Sequence, residues 1–404
     1  MTAIAVSEHT GPHGRAPSLW LLSLASSLSP FGMIVVVPAL AMFAERYGVS
    51  QGNAQFLIAT YLFGLGVGQP LAGSLSDRFG RRPVILIGFV LFTLASIACV
   101  IVNSFAALLV FRNQQALGVR IGTVGSRAII RDTHDALSAT KALAWIGAAM
   151  GVAPVIGPLI GGPLTTWGGP RLVFLASAAL GAAVLLALNA RLTETRIAAG
   201  PSDEVQHWTT SYRQLLTARV FVGYTLMYAF IQGSFFAFLA VAAVVFSDHL
   251  GINAAVFGVI WGAMGLVYVV GAASCARVTA WLGIRKALVL STWMITIAGV
   301  SLLVATLLVG VTLAGLLVPL GVLMYGAGIQ TPLAVAGSVN CRPDIAGTAA
   351  GLSSSLALVI SGSFSMVAGY LYAGDFLPVA GLIAVLSCMA IVTCWMTRGD
   401  SATA

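Results

Sequence analysis

Three residues with the means for chemistry, Arg112, Gln115 and Arg120, stand in one apolar stretch at 105–126. If that stretch is a helix, Arg112 lies about seven residues in and roughly 10 Å deep. A charge at that depth is expensive unless it faces a cavity or a partner. Arg112 and Gln115 are therefore candidates for coupling or substrate contact, against the alternative of an arginine snorkelling to the interface. Arg120 follows about 80° around the same helix. None of the twelve acidic residues lies clearly in mid-membrane. Two cavity-facing arginines without an embedded acid would favour an anionic or carboxylate-bearing small molecule over a cationic one. The alternative for Arg120 is the inner interface or a backbone carbonyl.

Tyr224, Tyr228 and Gln232 recur at i, i+4 and i+8 in the apolar run 220–246 and share one helix face. They are the best candidates for lining a cavity. Gln55, Tyr61, Gln69, Trp145, Trp261, Tyr268, Tyr325, Gln330 and Ser353–Ser355 are further ones, each explained as readily by packing or an interfacial position.

Two clusters have a mechanical character. Gly73, Asp77, Arg78, Gly80, Arg81 and Arg82 occupy a short polar turn between apolar runs. Gly73 would allow close helix approach, Gly80 a sharp turn, and Asp77 would accept hydrogen bonds from a facing helix N-terminus or arginine. The plainer reading is a basic loop that sets topology. In a later run, Pro154, Gly157, Pro158, Gly161 and Gly162 combine prolines that bend a helix with glycines that let a neighbour approach.

The elements that position these residues follow from composition. The chain has 404 residues, 59% hydrophobic and 8% charged, with a mean hydropathy of +0.98, which excludes a water-soluble globule. At roughly 20 residues per crossing, the apolar content allows about twelve helices. Apolar runs fall at 18–43, 54–75, 84–103, 105–126, 140–165, 171–190, 220–246, 254–276, 287–308, 311–335, 346–371 and 376–396. The first run reads as a retained helix rather than a signal peptide. On the side opposite the N-terminus the loops hold only Arg46 and Arg171, so the positive-inside rule puts both termini in the cytoplasm. That rule also accounts for the formal charge of +8 without a nucleic-acid partner.

The longest polar segment, 191–219, divides the runs six and six. It reads as a linker between bundles at 1–190 and 220–404. A weak repeat supports the division: the 73–82 cluster is echoed by Gly271, Arg277, Gly283, Arg285 and Lys286. Repeats of this kind place a substrate site near the midplane between the halves. There is no G-x-S-x-G, H-E-x-x-H or Walker sequence. The five cysteines are scattered, and His134 and His249 sit at loop ends, so no enzyme activity, metal or cofactor is expected.

The G-x-x-x-D-R-x-G-R-R pattern at 73–82 resembles the signature of the major facilitator superfamily, in which it acts as a latch of the outward-facing state. Arg112 to Gly118 resembles the family's R-x-x-Q-G-x-G element, associated with proton coupling, with Ala116 replacing a glycine. Gly157 to Gly162 resembles the antiporter motif of its drug exporters. Arg127 to Asp132, Glu194-Thr195-Arg196 and Ala346 to Gly351 resemble the bicyclomycin-resistance (Bcr/CflA) group of twelve-span drug:proton antiporters. The resemblance implies an all-α polytopic membrane protein of two six-helix bundles. It implies a monomeric exporter of a small organic molecule from the bacterial cytoplasm, working by proton antiport and alternating access. The runner-up is a facilitator or importer of an organic anion or metabolite; a membrane enzyme or lipid flippase is a distant third. The chain departs from the group before Val37-Pro38-Ala39-Leu40, where Phe31 to Val36 contain no carboxylate.

Overall fold

The computed structural model describes residues 18–134, 136–194 and 208–398. Among them run twelve long helices: α1 (Leu19–Tyr47), α2 (Phe56–Phe79), α3 (Arg81–Ile101), α4 (Phe105–Thr133), α5 (Ala136–Gly168) and α6 (Pro170–Arg191) form the first six. The second six are α7 (Arg219–Leu250), α8 (Ala254–Leu282), α9 (Ile284–Val309), α10 (Leu313–Asn340), α11 (Ala346–Leu371) and α12 (Leu377–Met396). Eleven are long and apolar enough to cross a membrane. The exception is α4, because Arg112, Arg120, Arg127, Arg131 and Asp132 dilute its apolar content. Its length of 29 residues is nonetheless ample for the roughly 20 that a crossing needs.

The two halves pack in the same way. Helices α3 and α4 pair as α9 and α10 do, α2 and α4 as α8 and α10, α1 and α5 as α7 and α11, and α3 and α6 as α9 and α12. The repeat extends to the backbone. Gly80 (φ 96°, ψ 159°) turns the chain from α2 into α3, and Gly283 (φ 80°, ψ 158°) turns it from α8 into α9. Such positive φ values favour glycine. Between the halves the linker is partly helical, contrary to the simple reading of its polarity. Trp208–Thr217 forms a short helix whose Leu215 packs with Phe221, Ile345 and Ala349. Residues 195–207, and Arg15 with the rest of 1–17, lie outside the described residues.

Two pairs of helices join the halves, α2 with α11 and α5 with α8. Glycines report how closely. Call the end carrying Leu19 and Met396 the proximal face and the other the distal face. On α5, Gly147, Gly151, Pro158 and Gly162 recur at spacings of four and seven and so form one stripe. At its distal end a Cβ on Gly162 would lie 2.7 Å from the Ala254 carbonyl oxygen, and one on Gly258 would collide with the Pro158 carbonyl. At its proximal end a Cβ on Gly147 or Gly151 would meet nothing within 4 Å. The α11 stripe behaves alike. Gly369 abuts Gly52, Gly362 abuts Leu62, and the Ser355 hydroxyl donates to the Gly66 carbonyl (2.6 Å). Gly351 and Gly347, next along it, face open space. The bundles are thus in backbone contact distally and splayed apart proximally. Gly73, expected to allow close helix approach, has nothing within 4 Å, because it lies on the splayed side.

Candidate functional site

The two arginines of α4 occupy different environments. Arg112 is wholly buried. Its Nη2 donates to the carbonyls of Gly32 (2.8 Å) and Met33 (3.3 Å), its Nε to that of Leu57 (3.3 Å), and its Nη1 to Gln115 Oε1. The guanidinium carbon lies 4.1 Å from the Tyr61 ring centroid and 5.7 Å from that of Phe174.

The local cause is in α1. Pro38 has no N–H to continue a helix, and the chain passes from helix Leu19–Ile34 into a 3-10 turn at Val37–Ala39. Gly32 and Met33 sit in the last helical turn, where carbonyls lack intrahelical partners and the helix dipole is negative. Arg112 supplies both the donors and the positive charge. Gln115 is fixed in turn, donating to Ser96 Oγ (2.6 Å). The expectation of two cavity-facing arginines is therefore corrected: Arg112 is enclosed within the first bundle, and its counter-charge is a broken helix end instead of a carboxylate.

Arg120 lies at mid-depth, where the bundles begin to separate. Gly68 lets its stem pass, a Cβ there lying 3.1 Å from that of Arg120. One terminal nitrogen donates to Gln69 Oε1, while the buried Nε has no partner. Arg120 interacts electrostatically with Arg127, Tyr61 and Tyr228, and Tyr228 with Tyr268, Arg120 and Arg127. Tyr228 and Tyr268 belong to the second bundle, so electrostatic influence reaches Arg120 from both halves. Among the described residues, no carboxylate figures in the interactions of Arg120 or Tyr228.

The span-seven face divides. Tyr228 and Gln232 are half-buried, whereas Tyr224 is buried against Gly337 of α10 and so belongs to packing. Other candidates do not converge on the cavity. Trp261 stacks between Phe238 and Phe257, Gln330 donates to Thr292 (2.7 Å), and exposed Trp145 meets Trp20. Gln55 lies in the distal contact, where Gly369 abuts its Cβ.

The 73–82 turn is tied into its own bundle. Glu194, past the end of α6, accepts from the backbone N–H of Arg81 (2.9 Å) and Arg82 (3.2 Å), capping α3 with both carboxylate oxygens. Arg81 Nε lies 2.9 Å from Asp132 Oδ2, and Arg82 donates to the Leu192 carbonyl (2.7 Å) and to Asn189. Arg285 repeats the Arg82 arrangement on α12, donating to Thr397 Oγ1 (2.7 Å) and the Cys394 carbonyl (3.0 Å). Arg78 is exposed with its guanidinium over Phe79. The Asp77 and Pro154 side chains lie outside the described residues.

The proline-glycine element of α5 is two-sided. Gly157 and Gly161 face the break in α1 at Ile34 and Val35, while Pro158 and Gly162 face α8. The helix continues unbroken to Gly168. Its glycines pack closely on both sides, against α1 and against α8.

Comparison with known proteins agrees with this architecture. The model of the Major Facilitator Superfamily matches residues 22–366. Multidrug resistance protein D of Escherichia coli (strain K12) is 29% identical over 385 residues, covering 94% of each chain. The chloramphenicol resistance protein of Pseudomonas aeruginosa is 28% identical over 357 residues, 87% of this chain and 83% of that one. A D-xylose-proton symporter crystal structure superposes with a TM-score of 0.75 at 16% identity, covering 95% of this chain and 98% of that one. With twelve helices in a twofold-repeated arrangement and a family match over most of its length, the chain is a multi-pass membrane protein that belongs to the Major Facilitator Superfamily, a family of transporters rather than enzymes.

Proposed function

We propose that this chain exports a small organic molecule across the bacterial inner membrane, by proton antiport with alternating access between bundles at 1–190 and 220–404. The observation that carries this reading is the splay of the bundles: tight glycine contacts on the distal face and open space along the same stripes on the proximal face. With both termini cytoplasmic, as the basic loops favour, this is a state open to the cytoplasm, from which an exporter loads. The names of the full-length relatives, multidrug resistance protein D and chloramphenicol resistance protein, favour efflux over uptake. Both bundles lie in one chain, so a monomer suffices for the cycle.

Everted membrane vesicles containing the protein test this, with chloramphenicol as probe. Energised vesicles are expected to accumulate it, and a protonophore to abolish the accumulation. Accumulation that persists unchanged with the gradient collapsed overturns antiport; uptake into intact cells instead of everted vesicles overturns export.

A further inference from the structure

We infer that the space bounded by Arg120, Gln69 and Tyr228 is an acceptor site for the carboxylate of an organic anion, which fixes the chemical class of what this transporter carries. The inference rests on the export reading for its biological sense but on the geometry for its chemistry.

A guanidinium removed from water needs acceptors on all its donors, and a carboxylate matches it in pairs. Arg112 shows what a satisfied arginine looks like in this protein, with four acceptors and two aromatic faces. Arg120 is 8% exposed, yet among the described residues its one acceptor is neutral Gln69 and its Nε has none. The difference is chemical, since both residues sit on the same helix at comparable burial.

Among the described residues, the charged group that acts on Arg120 is a second cation. Arg127 stands seven residues further on, on nearly the same face of α4 and about 10 Å toward the proximal opening. Among the described residues, Arg120 interacts with it and with two phenols. A cationic guest here would meet the like charge of Arg120 in a medium of low dielectric. An anion would find a charge-assisted donor in Arg120, with the Tyr228 hydroxyl available from the opposite bundle. Such a guest touches both halves at the depth where they diverge, so it is placed to respond to, and bias, their rocking.

Binding of three naphthyl probes to the purified full-length protein separates the possibilities: 2-naphthoate, 2-naphthamide and 2-naphthylmethylammonium, compared by isothermal titration. The carboxylate is expected to bind roughly tenfold more tightly than the amide, and the ammonium weakest. Arg120→Gln should erase this order. Because that variant also changes packing against Gly68, Gln69→Glu is the second test. It keeps the arginine but supplies an internal carboxylate, and should abolish the preference for naphthoate over naphthamide. Equal binding of the three probes, tightest binding of the ammonium, no measurable binding of the carboxylate, or an order unchanged in Gln69→Glu overturns the proposal. Anion preference without export in vesicles would overturn the export reading and leave this site standing; export with a preference for the ammonium would do the reverse.

Discussion

The Nη2 atom of Arg112 lies 2.8 Å from the carbonyl oxygen of Gly32, joining the first third of α4 to the end of the first helical segment of α1. Each residue explains the other. The break before Pro38 leaves polar carbonyls inside an apolar bundle, and the arginine would be prohibitively costly there without them. Arg112→Ala removes donors from the carbonyls of Gly32, Met33 and Leu57 together. An orphaned buried acceptor costs about 1–3 kcal/mol, so a large fall in the thermal midpoint of the detergent-solubilised protein is expected. Arg112→Lys keeps the charge but not the fork, and should fall between the two. The ranking of anionic and cationic ligands should survive Arg112→Lys, since this residue is enclosed.

Much of this was legible in the sequence, and the limits are physical. Twelve helices, the six-and-six division and the paired glycine turns at Gly80 and Gly283 follow from apolar runs and a half-chain repeat. The partner of Arg112 was not legible, because a backbone carbonyl leaves no mark on residue type; only the Pro38 break hinted at it. Glu194 appeared as part of a motif without a task, since its cap on α3 joins residues more than a hundred apart. The face of α7 was predicted as one unit, yet a helix in a bundle touches different neighbours at each turn, so Tyr224 meets Gly337 while Tyr228 lies within electrostatic range of Arg120 and Arg127.

The cap on α3 makes a sharper test of the 73–82 turn than its arginines do. Gly80 needs its positive φ, and a Cβ there would lie 2.6 Å from Glu194 Oε2. Gly80→Ala therefore strains the backbone and displaces the cap at once. Glu194→Ala removes the cap alone, at about 1 kcal/mol by analogy with other N-caps. The double variant should cost less than the sum of the singles, because the Gly80 clash needs the Glu194 carboxylate. Chemical denaturation of the three variants measures this; strict additivity would refute it.

Closure of the distal face depends on glycines meeting backbone. Gly52 abuts the Gly369 carbonyl and Gly258 that of Pro158. A methyl group at either site cannot be accommodated while the bundles touch there. Gly52→Ala and Gly258→Ala are expected to shift the population toward a distally open state. Spin labels at exposed Asn53 and Asp375, read by pulsed dipolar spectroscopy, should then show a longer distance component. The same labels in a Gly73→Ala background should show the unsubstituted distribution, since a Cβ at Gly73 meets nothing within 4 Å.

Gln55 offers the opposite perturbation. It is fully buried in the distal contact, and neither its Oε1 nor its Nε2 has a hydrogen-bond partner. Two unsatisfied groups at about 1–3 kcal/mol each oppose the closed distal face, and opening it restores them to water. This cost keeps the proximally open state from becoming a trap, because alternating access requires two states within a few kcal/mol of each other. Gln55→Leu removes the penalty while leaving the backbone carbonyl that accepts from Ile58 N–H. It is expected to raise thermal stability, shorten the distal distance distribution and slow transport several-fold, with binding from the proximal side retained. A variant of lower stability with unchanged turnover would show that Gln55 finds its partners in the closed state.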